Sequence, residues 1–383
     1  MGRKSFKVEV DPSVFKWLRE SAGWSIEEVS KKIKTSVSTV EGFENGEKKP
    51  TLKQLKELSR AFRRPTAAFL LSKPKKEKPL PKDYRMLPNR TNTFDKKTII
   101  VLRRARNLQE VSEELSININ YKVKPEVKLI TDSYDPKKVA TEYRNLFQLT
   151  EEKQCKFKTP YELFHYLRDI LEGMNVLVFQ FSMPVEDARG FVLVDESPNV
   201  IVVNTKDSIE ARLFSLMHEF AHILLGESVI DLPDSVAISR NKIEVWCNEF
   251  ASSFLLPENM AKNAFDSKKE GLTQTQTLNT LSRKYKISKA VILVKMLKLN
   301  YITKNEYDDV LGRYKPKPEA TEKGKKQGGG LSSDKKCLSQ IGNKFISIVA
   351  RNYDKNYITY TDALSYLSIK SKNFDKVLAK ARK

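Results

Sequence analysis

Phe214-Ser215-Leu216-Met217-His218-Glu219-Phe220-Ala221-His222-Ile223-Leu224-Leu225-Gly226 is the stretch that decides the central fold of this 383-residue chain. Its apolar residues recur with the period of a helix, and Gly226 ends it. The spacing of four places His218 and His222 on one face, one turn apart, as two ligands of a single tetrahedral zinc ion require. Glu219 would act as the general base for a water molecule that the zinc activates. The chain has three histidines in all, so a chance pairing around a glutamate is improbable.

A third zinc ligand is predicted on the next helix. Leu225 and Ser228 stand where a metzincin would have a glycine and a third histidine, which excludes that class of site. Residues 242–257 have helical apolar spacing and end in a proline. Glu244 and Asn248 are four residues apart and share a face of this helix. We therefore predict that Glu244 binds the zinc and that Asn248 orients a ligand.

Other side chains near these residues leave alternatives open. Glu249 is a competing carboxylate ligand, although it points elsewhere than Glu244. Cys247 is the nearest thiol, and as a fourth protein ligand it would close the site and make the zinc structural. Tyr161 and His165 are the nearest candidates for a proton donor, and His165 is better explained as a packing residue of its helix.

The net charge of +21 is unevenly distributed along the chain. Residues 161–260 hold 6 basic and 16 acidic residues, whereas residues 1–130 hold 30 and 16. The basic surplus favours a polyanionic partner near the ends of the chain, and the acidic segment would attract a basic substrate. No apolar run reaches the ~18 residues of a membrane span, and three widely spaced cysteines form no disulfide framework. We therefore expect a cytoplasmic protein with no membrane partner.

The first seventy residues predict five short helices. Apolar spacing and capping residues place their beginnings near Pro12, Ser25, Ser36 or Ser38, Pro50-Thr51 and Pro65. The stretch from Ser25 to Gly46 resembles the helix-turn-helix of the Cro and phage-repressor (XRE) family, and the resemblance covers residues 12–71. It implies that the third helix enters the major groove of double-stranded DNA. The residues that would meet DNA are Val37, Ser38, Thr39, Glu41 and Lys48.

The chain departs from this family in ways that bear on DNA binding. Ile26 replaces a common glutamine, and Lys34 replaces the glycine that the turn often has. The base-facing positions carry no arginine, glutamine or asparagine, which read bases through paired hydrogen bonds. Glu41 and Glu44 would lie near phosphates. A helical module that docks on protein instead of DNA is therefore the alternative interpretation.

The central segment resembles the ImmA/IrrE family of zinc metallopeptidases, over roughly residues 160–260 and loosely to 310. The resemblance rests on the runs 190–194, 200–204 and 214–222, and on Glu244, Cys247, Asn248 and the segment 250–257. It implies zinc bound by His218, His222 and Glu244, with Glu219 catalytic. It also implies a gluzincin-like fold in which a small sheet packs on the helix of the active site. The predicted strands are Asn175–Phe181, Phe191–Asp195 and Val200–Asn204.

These observations predict an α+β fold that is mainly α. The predicted divisions are a helix-turn-helix domain at 1–72, a basic linker and helix at 73–130, a zinc metallopeptidase domain with a carboxyl-terminal helix pair at 131–310, a flexible linker at 311–336 and a helical segment at 337–383. The helix pair around Ile287-Ser288 is interpreted as a lid or docking element, with a second helix-turn-helix as the alternative.

The combined prediction is a DNA-associated regulator that carries a zinc endopeptidase. The family resemblance implies that its substrate is a repressor-like or antitoxin-like protein. A homodimer is possible in such regulators. Two alternatives differ in class: a non-enzymatic DNA-binding repressor with a structural or vestigial metal site, and a peptidase whose amino-terminal helices recognise a protein substrate.

Overall fold

The structure, a computed structural model, describes residues 6–75, 94–121, 126–194, 196–226, 229–231, 242–268, 271–314 and 332–381. By packing, the chain divides into two compact units, which within these ranges are residues 6–75 with 94–104, and residues 105–381. In these ranges helices predominate and there is one small sheet, which confirms the predicted α+β, mainly α class. No helix in the described residues is both long and apolar enough to cross a bilayer.

The first unit is built from short capped helices. They are α1 (Pro12–Glu20), α2 (Ile26–Lys32), α3 (Val37–Glu44), α4 (Leu52–Phe62), a 3₁₀ helix (Thr66–Leu70) and the first part of α5 (Lys96–Asn118). Ser25 and Glu28 form the predicted capping box. Phe15, Phe43 and Phe69 meet in a buried core at ring separations of 5.5 and 6.0 Å. The helix positions were predicted correctly, except that the fifth helix is 3₁₀ and residues 94–104 also belong to this unit.

Two details of the helix-turn-helix follow from its departures in sequence. Lys34, in the turn between α2 and α3, has φ of 54°, the left-handed conformation that a glycine adopts without strain. Arg19 of α1 donates to both carboxylate oxygens of Glu44 at 2.5 and 3.1 Å, and to the carbonyl of Trp24. Glu44 is therefore a neutralised internal partner, and the expectation that it faces phosphate is wrong.

The second unit contains most of the remaining elements. Its helices are the rest of α5, α6 (Pro136–Leu146), α7 (Glu151–Lys156), α8 (Pro160–Gly173), α9 (Ile209–Leu225), α10 (Lys242–Leu255), α11 (Glu258–Asp266), α12 (Thr275–Tyr285), α13 (Lys289–Lys298), α14 (Lys304–Tyr314), α15 (Ser333–Ile341), α16 (Asn343–Asp354), α17 (Tyr360–Leu367) and α18 (Phe374–Ala381), with a 3₁₀ turn at Ser371–Asn373. Its strands are β1 (Val176–Phe181), β2 (Gly190–Leu193), β3 (Asn199–Asn204) and β4 (Val229–Asp231).

The sheet has the order β1-β3-β2-β4. β1 and β3 are parallel, with Val176 opposite Asn199, and both other pairings are antiparallel. The side chains of β1, β2 and β3 are buried throughout, because α8, α9 and α15 pack against the sheet. Three of these strands were predicted within one or two residues, and β4 was missed because it has only three residues.

An aromatic cluster fixes α6, α9 and α10 against one another. Tyr143 of α6 contacts Phe220 of α9 at 5.2 Å, and Phe220 contacts Phe250 of α10 at 6.2 Å between ring centroids. The end of α10 is held by Arg144, whose guanidinium donates to the carbonyl of Phe254 at 2.6 Å. Burial lowers the pKa of Arg144 to about 10. These contacts set the rotation of α10 relative to α9.

The carboxyl-terminal helices pack into the same unit as the sheet. Arg168 of α8 donates to the carbonyls of Leu338 and Ser339 at the end of α15, and to the carbonyl of Val178 in β1. Its ion-pair partner Glu172, 2.8 Å away, accepts from the backbone N–H of Lys344 at the start of α16. One buried charge pair therefore caps the end of one helix and the start of the next.

Two sequence expectations change in this region. The predicted linker at 311–336 is helical at its two ends, in α14 and α15, and residues 315–331 lie outside the described residues. The alternative of a second helix-turn-helix is wrong, because α13 is buried along most of its length, from Val291 to Met296, and has no free face for a DNA groove.

Part of the predicted 73–130 segment, residues 76–93 and 122–125, is also outside the described residues. The other predicted domain boundaries stay predictions.

Candidate metal centre

Four donor atoms, on three buried side chains from two helices, lie close together. His218 and His222 of α9 have their Nε2 atoms 3.2 Å apart. Glu244 of α10 places Oε2 3.3 Å from Nε2 of His218 and Oε1 3.3 Å from Nε2 of His222. All three side chains have no exposed surface. Among the described residues, these three form the one cluster of potential metal ligands.

The separations between these donors fit a tetrahedral zinc ion. Zn–N and Zn–O bonds are about 2.0–2.1 Å, and the edge of such a tetrahedron is about 3.3–3.4 Å. Neighbouring donors are separated by about this length: the two Nε2 atoms are 3.2 Å apart, and each Nε2 is 3.3 Å from one oxygen of Glu244, Oε2 for His218 and Oε1 for His222. Two imidazoles and a carboxylate are also the donor set of zinc peptidases. The residues present thus fit zinc by both chemistry and spacing.

The electrostatics of Glu244 suit a ligand. Burial by itself raises the pKa of a carboxyl group, but hydrogen bonds to His218 and His222 outweigh it and hold the pKa of Glu244 well below its ordinary value. Glu244 is therefore ionised. It lies on the face of α10 that packs against α9, and the aromatic cluster keeps that face in place.

Glu219 lies between the two histidines in sequence and faces the sheet. It is fully buried, and its Oε1 lies close to Gly190 in β2: a Cβ atom at that position would be 2.8 Å from Oε1 and 2.9 Å from the carbonyl of Val202. Asn204 fixes the loop before Gly190 by donating to the carbonyls of Met183 and Ala188 at 3.0 and 2.9 Å. The glycine therefore provides the space for the carboxylate.

Gly190 is a site residue that sequence reasoning missed. It is the first residue of the run Gly190-Phe191-Val192-Leu193-Val194, on which the family resemblance partly rests, but the sequence predicted no role for it. A glycine inside a strand is a signal for close approach of another group. Which group approaches could be found only from the packing of α9 on β2.

Cys247 occupies a different place from the one that a fourth ligand needs. Its Sγ lies 3.6 Å from Nδ1 of His222, on the side of the ring away from Nε2. The thiol therefore sits behind the ligand rather than beside the other donors. The alternative of a structural zinc closed by Cys247 has no support in this geometry.

The other predicted site residues have different surroundings. Glu249 pairs with Lys298 and Lys295 of α13 and accepts a hydrogen bond from Ser253 at 3.0 Å. These partners balance the charge of its carboxylate, so Glu249 is not directed at the histidines. Asn248 is buried on α10, and its role in orienting a ligand stays a prediction. Tyr161 is half-exposed at the start of α8, and partial burial lowers the pKa of His165 on the same helix.

The residues predicted to meet DNA lie together on the surface of the first unit. Val37, Ser38 and Glu41 of α3 are exposed, and Thr39 is half-buried. Ser36 caps α3 by accepting from the N–H of Thr39 at 3.2 Å. Lys48 is exposed, and its aliphatic stem lies over Gly42, where a Cβ atom would be 2.9 Å from Cδ of Lys48. Their contact with DNA stays a prediction.

A histidine pair one turn apart, a glutamate between them and a carboxylate from a following helix are the residue types found in metallopeptidase sites. Comparison with protein families agrees: residues 171–297 match the peptidase family described as the IrrE N-terminal-like domain. Residues 15–69 match the helix-turn-helix family. The chain is thus a fusion of an XRE-type helix-turn-helix region with an ImmA/IrrE-like region. No curated protein gave a significant match to the chain.

Proposed function

We propose that this protein is a DNA-associated regulator whose second unit is a zinc-dependent endopeptidase that cleaves a repressor-like protein. The observation that carries the proposal is the cluster of His218, His222 and Glu244, whose neighbouring donor atoms are 3.2–3.3 Å apart. Glu219 is on the same helix as the histidines, and the helix-turn-helix family match supports the DNA-associated part.

The chemistry of the centre follows from these residues. Zinc, when bound, supplies a Lewis acid that polarises a peptide carbonyl and lowers the pKa of water. Glu219 would accept a proton on its carboxylate from the attacking water and later return a proton to the leaving amine. The complete burial of Glu219 strengthens electrostatic interactions around it, since screening by water is reduced. Gly190 leaves the space that this carboxylate occupies.

Metal content tests the ligand assignment. Zinc should be stoichiometric in the purified wild-type protein when measured by mass spectrometry, and it should be lost in His222→Ala and Glu244→Ala. Glu249→Ala is the matched control, because this carboxylate lies on the same helix and pairs with Lys298 instead. Wild-type protein without zinc, or zinc loss in Glu249→Ala with retention in Glu244→Ala, would overturn the assignment.

Cleavage requires a separate measurement. Newly formed protein amino termini can be compared between cells that express wild-type protein and cells that express Glu219→Gln. We expect the variant to retain zinc and to lose the new termini, which should map to a DNA-binding regulator. Identical termini in both cultures, with zinc retained, would instead support the non-enzymatic repressor interpretation.

DNA binding is the second part of the proposal. Retardation of a random-sequence DNA pool by the full-length protein at low salt should weaken in Lys48→Met. This change removes one charge but keeps the stem that covers Gly42. The slope of log affinity against log salt should decrease by about 1, as expected for one phosphate contact. Lys262→Met in α11 serves as the control, and the absence of any retardation by wild-type protein would favour docking of the first unit on protein.

A further inference from the structure

We infer that Cys247 is a positioning residue for the metal centre, which orients His222 through its thiol. The inference rests on the zinc site of the proposed function and adds a role for a residue outside the ligand set. The contact that carries it is the 3.6 Å approach of Sγ of Cys247 to Nδ1 of His222. Both side chains are fully buried.

The direction of this hydrogen bond follows from the geometry of the ring. Nε2 of His222 faces Glu244 and His218, so a bound metal would take the lone pair of that nitrogen. The neutral imidazole then carries its proton on Nδ1. Nδ1–H donates, and the sulfur of Cys247 accepts. Histidine ligands nearly always donate their second N–H to a neighbouring acceptor, which fixes the tautomer and the orientation of the ring.

Cys247 lies on the same helix, α10, as the proposed ligand Glu244. Cys247 is three residues after Glu244, so both project from the face of α10 that packs on α9. One helix therefore supplies a ligand and also the acceptor that orients a ligand of the other helix. His218 is supported differently, since its ring stacks on Phe214 one turn earlier in α9, with a centroid separation of 6.1 Å.

The remaining cysteines provide an internal comparison. Cys337 of α15 is also buried, but its thiol lies 3.6 Å from the carbonyl of Leu367 and donates to it. Cys155 of α7 is only partly buried. Cys337 can therefore be replaced to measure the general effect of removing a buried thiol without changing the metal centre.

The test measures the zinc affinity of the full-length protein by competition with a chelator of known affinity. We expect Cys247→Ala to lower the affinity about 10–100-fold, as is typical when the partner of a histidine ligand is removed. Cys247→Val, which fills the space but accepts no hydrogen bond, should lower it similarly. Cys247→Ser, whose hydroxyl oxygen can accept from Nδ1–H, should recover most of the affinity. Cys337→Ala should bind zinc like the wild type.

The outcomes separate this inference from the proposed function. If the wild type binds no zinc, or if His222→Ala binds it normally, the zinc site itself is wrong. If His222→Ala abolishes binding while Cys247→Ala and Cys247→Val stay within about twofold of the wild type, only the positioning role is overturned. Circular dichroism of the metal-free variants monitors folding. Should Cys247→Ala fail to fold, the comparison of Cys247→Val with Cys247→Ser decides, and equal loss in both would point to packing alone.

Discussion

At the residue scale, the position of Glu219 depends on the absence of a side chain at Gly190. Glycine is required here for lack of space rather than for an unusual backbone conformation, since strand β2 is regular and paired on both sides. A methyl group would contact both the carboxylate of Glu219 and the carbonyl of Val202 below 3.0 Å. The backbone of β3 cannot move without breaking its pairing, so Glu219 would be displaced.

Gly190→Ala should therefore reduce peptide cleavage while leaving zinc binding in place. A displacement of about 1 Å of a catalytic group can cost about 100-fold in rate, and overpacking should cost about 1–3 kcal/mol of stability. Cleavage rate, zinc content and thermal unfolding together check this. Gly173→Ala is the control, because a Cβ atom there meets nothing within 4 Å. Cleavage by Gly190→Ala at the wild-type rate would contradict the assignment of Glu219, in this position, as the general base.

At the scale of elements, the turn between α2 and α3 carries a strained residue. Lys34 has φ of 54°, and its backbone N–H donates to the carbonyl of Lys31 at 3.4 Å, which is a long bond. The left-handed conformation costs a residue with a Cβ atom about 1–2 kcal/mol. The helix-turn-helix therefore forms despite the strain at Lys34, because the packing of the helices on either side of the turn outweighs it.

Lys34→Gly should stabilise the first unit by about 0.5–1 kcal/mol, because relief of strain exceeds the entropy that glycine loses on folding. Urea unfolding followed by the fluorescence of Trp17 and Trp24 can measure the change. Lys32→Gly, two residues earlier at the last position of α2, should instead lower the stability, by up to about 1 kcal/mol. A loss of stability in Lys34→Gly would contradict the strain at this turn.

The junction between α15 and α16 is another element that depends on one glycine. Gly342 has φ of 87° and ψ of 159°, a region open almost only to glycine. A Cβ atom there would overlap Oε1 of Glu172 and the guanidinium of Arg168. The charge pair that caps both helices therefore requires a residue without a side chain at the junction.

Gly342→Ala should destabilise the second unit by at least about 2 kcal/mol, from backbone strain together with the displaced charge pair. The midpoint of urea unfolding of the full chain measures this. Gly312→Ala in α14 is the control, since its Cβ atom would meet nothing within 4 Å and alanine favours the helix. An unchanged midpoint in Gly342→Ala would mean that the junction can rearrange freely.

At the scale of the whole molecule, the carboxyl-terminal helices complete the sheet. β1 is an edge strand that pairs with β3, and α15 packs against it. Arg168 donates to Val178, Gln180 donates to the carbonyl of Ser339 at 2.9 Å, and Phe345 packs against Phe179 at 6.1 Å. The match to the peptidase family ends at residue 297, so it does not include the segment that packs on β1.

A chain that ends at residue 331 should therefore expose an unpaired strand edge and the aromatic surface beside it. We expect soluble aggregates or a strand-exchanged oligomer, because exposed edges pair with other chains. Light scattering coupled to size exclusion would reveal them, with a chain that lacks only residues 382–383 as the control. A shortened protein with the size distribution and melting temperature of the full chain would show that α15–α18 are dispensable.

Local patterns in the sequence were sufficient for the elements and for the ligands that lie on one helix. The periodicity of α9 predicted the proximity of His218 and His222, because a spacing of four is one turn of any α-helix. Capping residues located the start of α2 and limited the start of α3 to Ser36 or Ser38 for the same reason, since caps act within three residues. Neither inference required knowledge of distant parts of the chain.

Contacts between distant segments were decided only by the tertiary structure. The sequence allowed Glu244 or Glu249 as ligand, and packing of α10 on α9 brings Glu244 to the histidines and Glu249 to Lys298. It placed Cys247 near the site but not at Nδ1 of His222, and it gave no role to Gly190. The physical reason is that the relative rotation of two helices, and the depth at which a helix lies on a sheet, depend on the summed packing of many side chains.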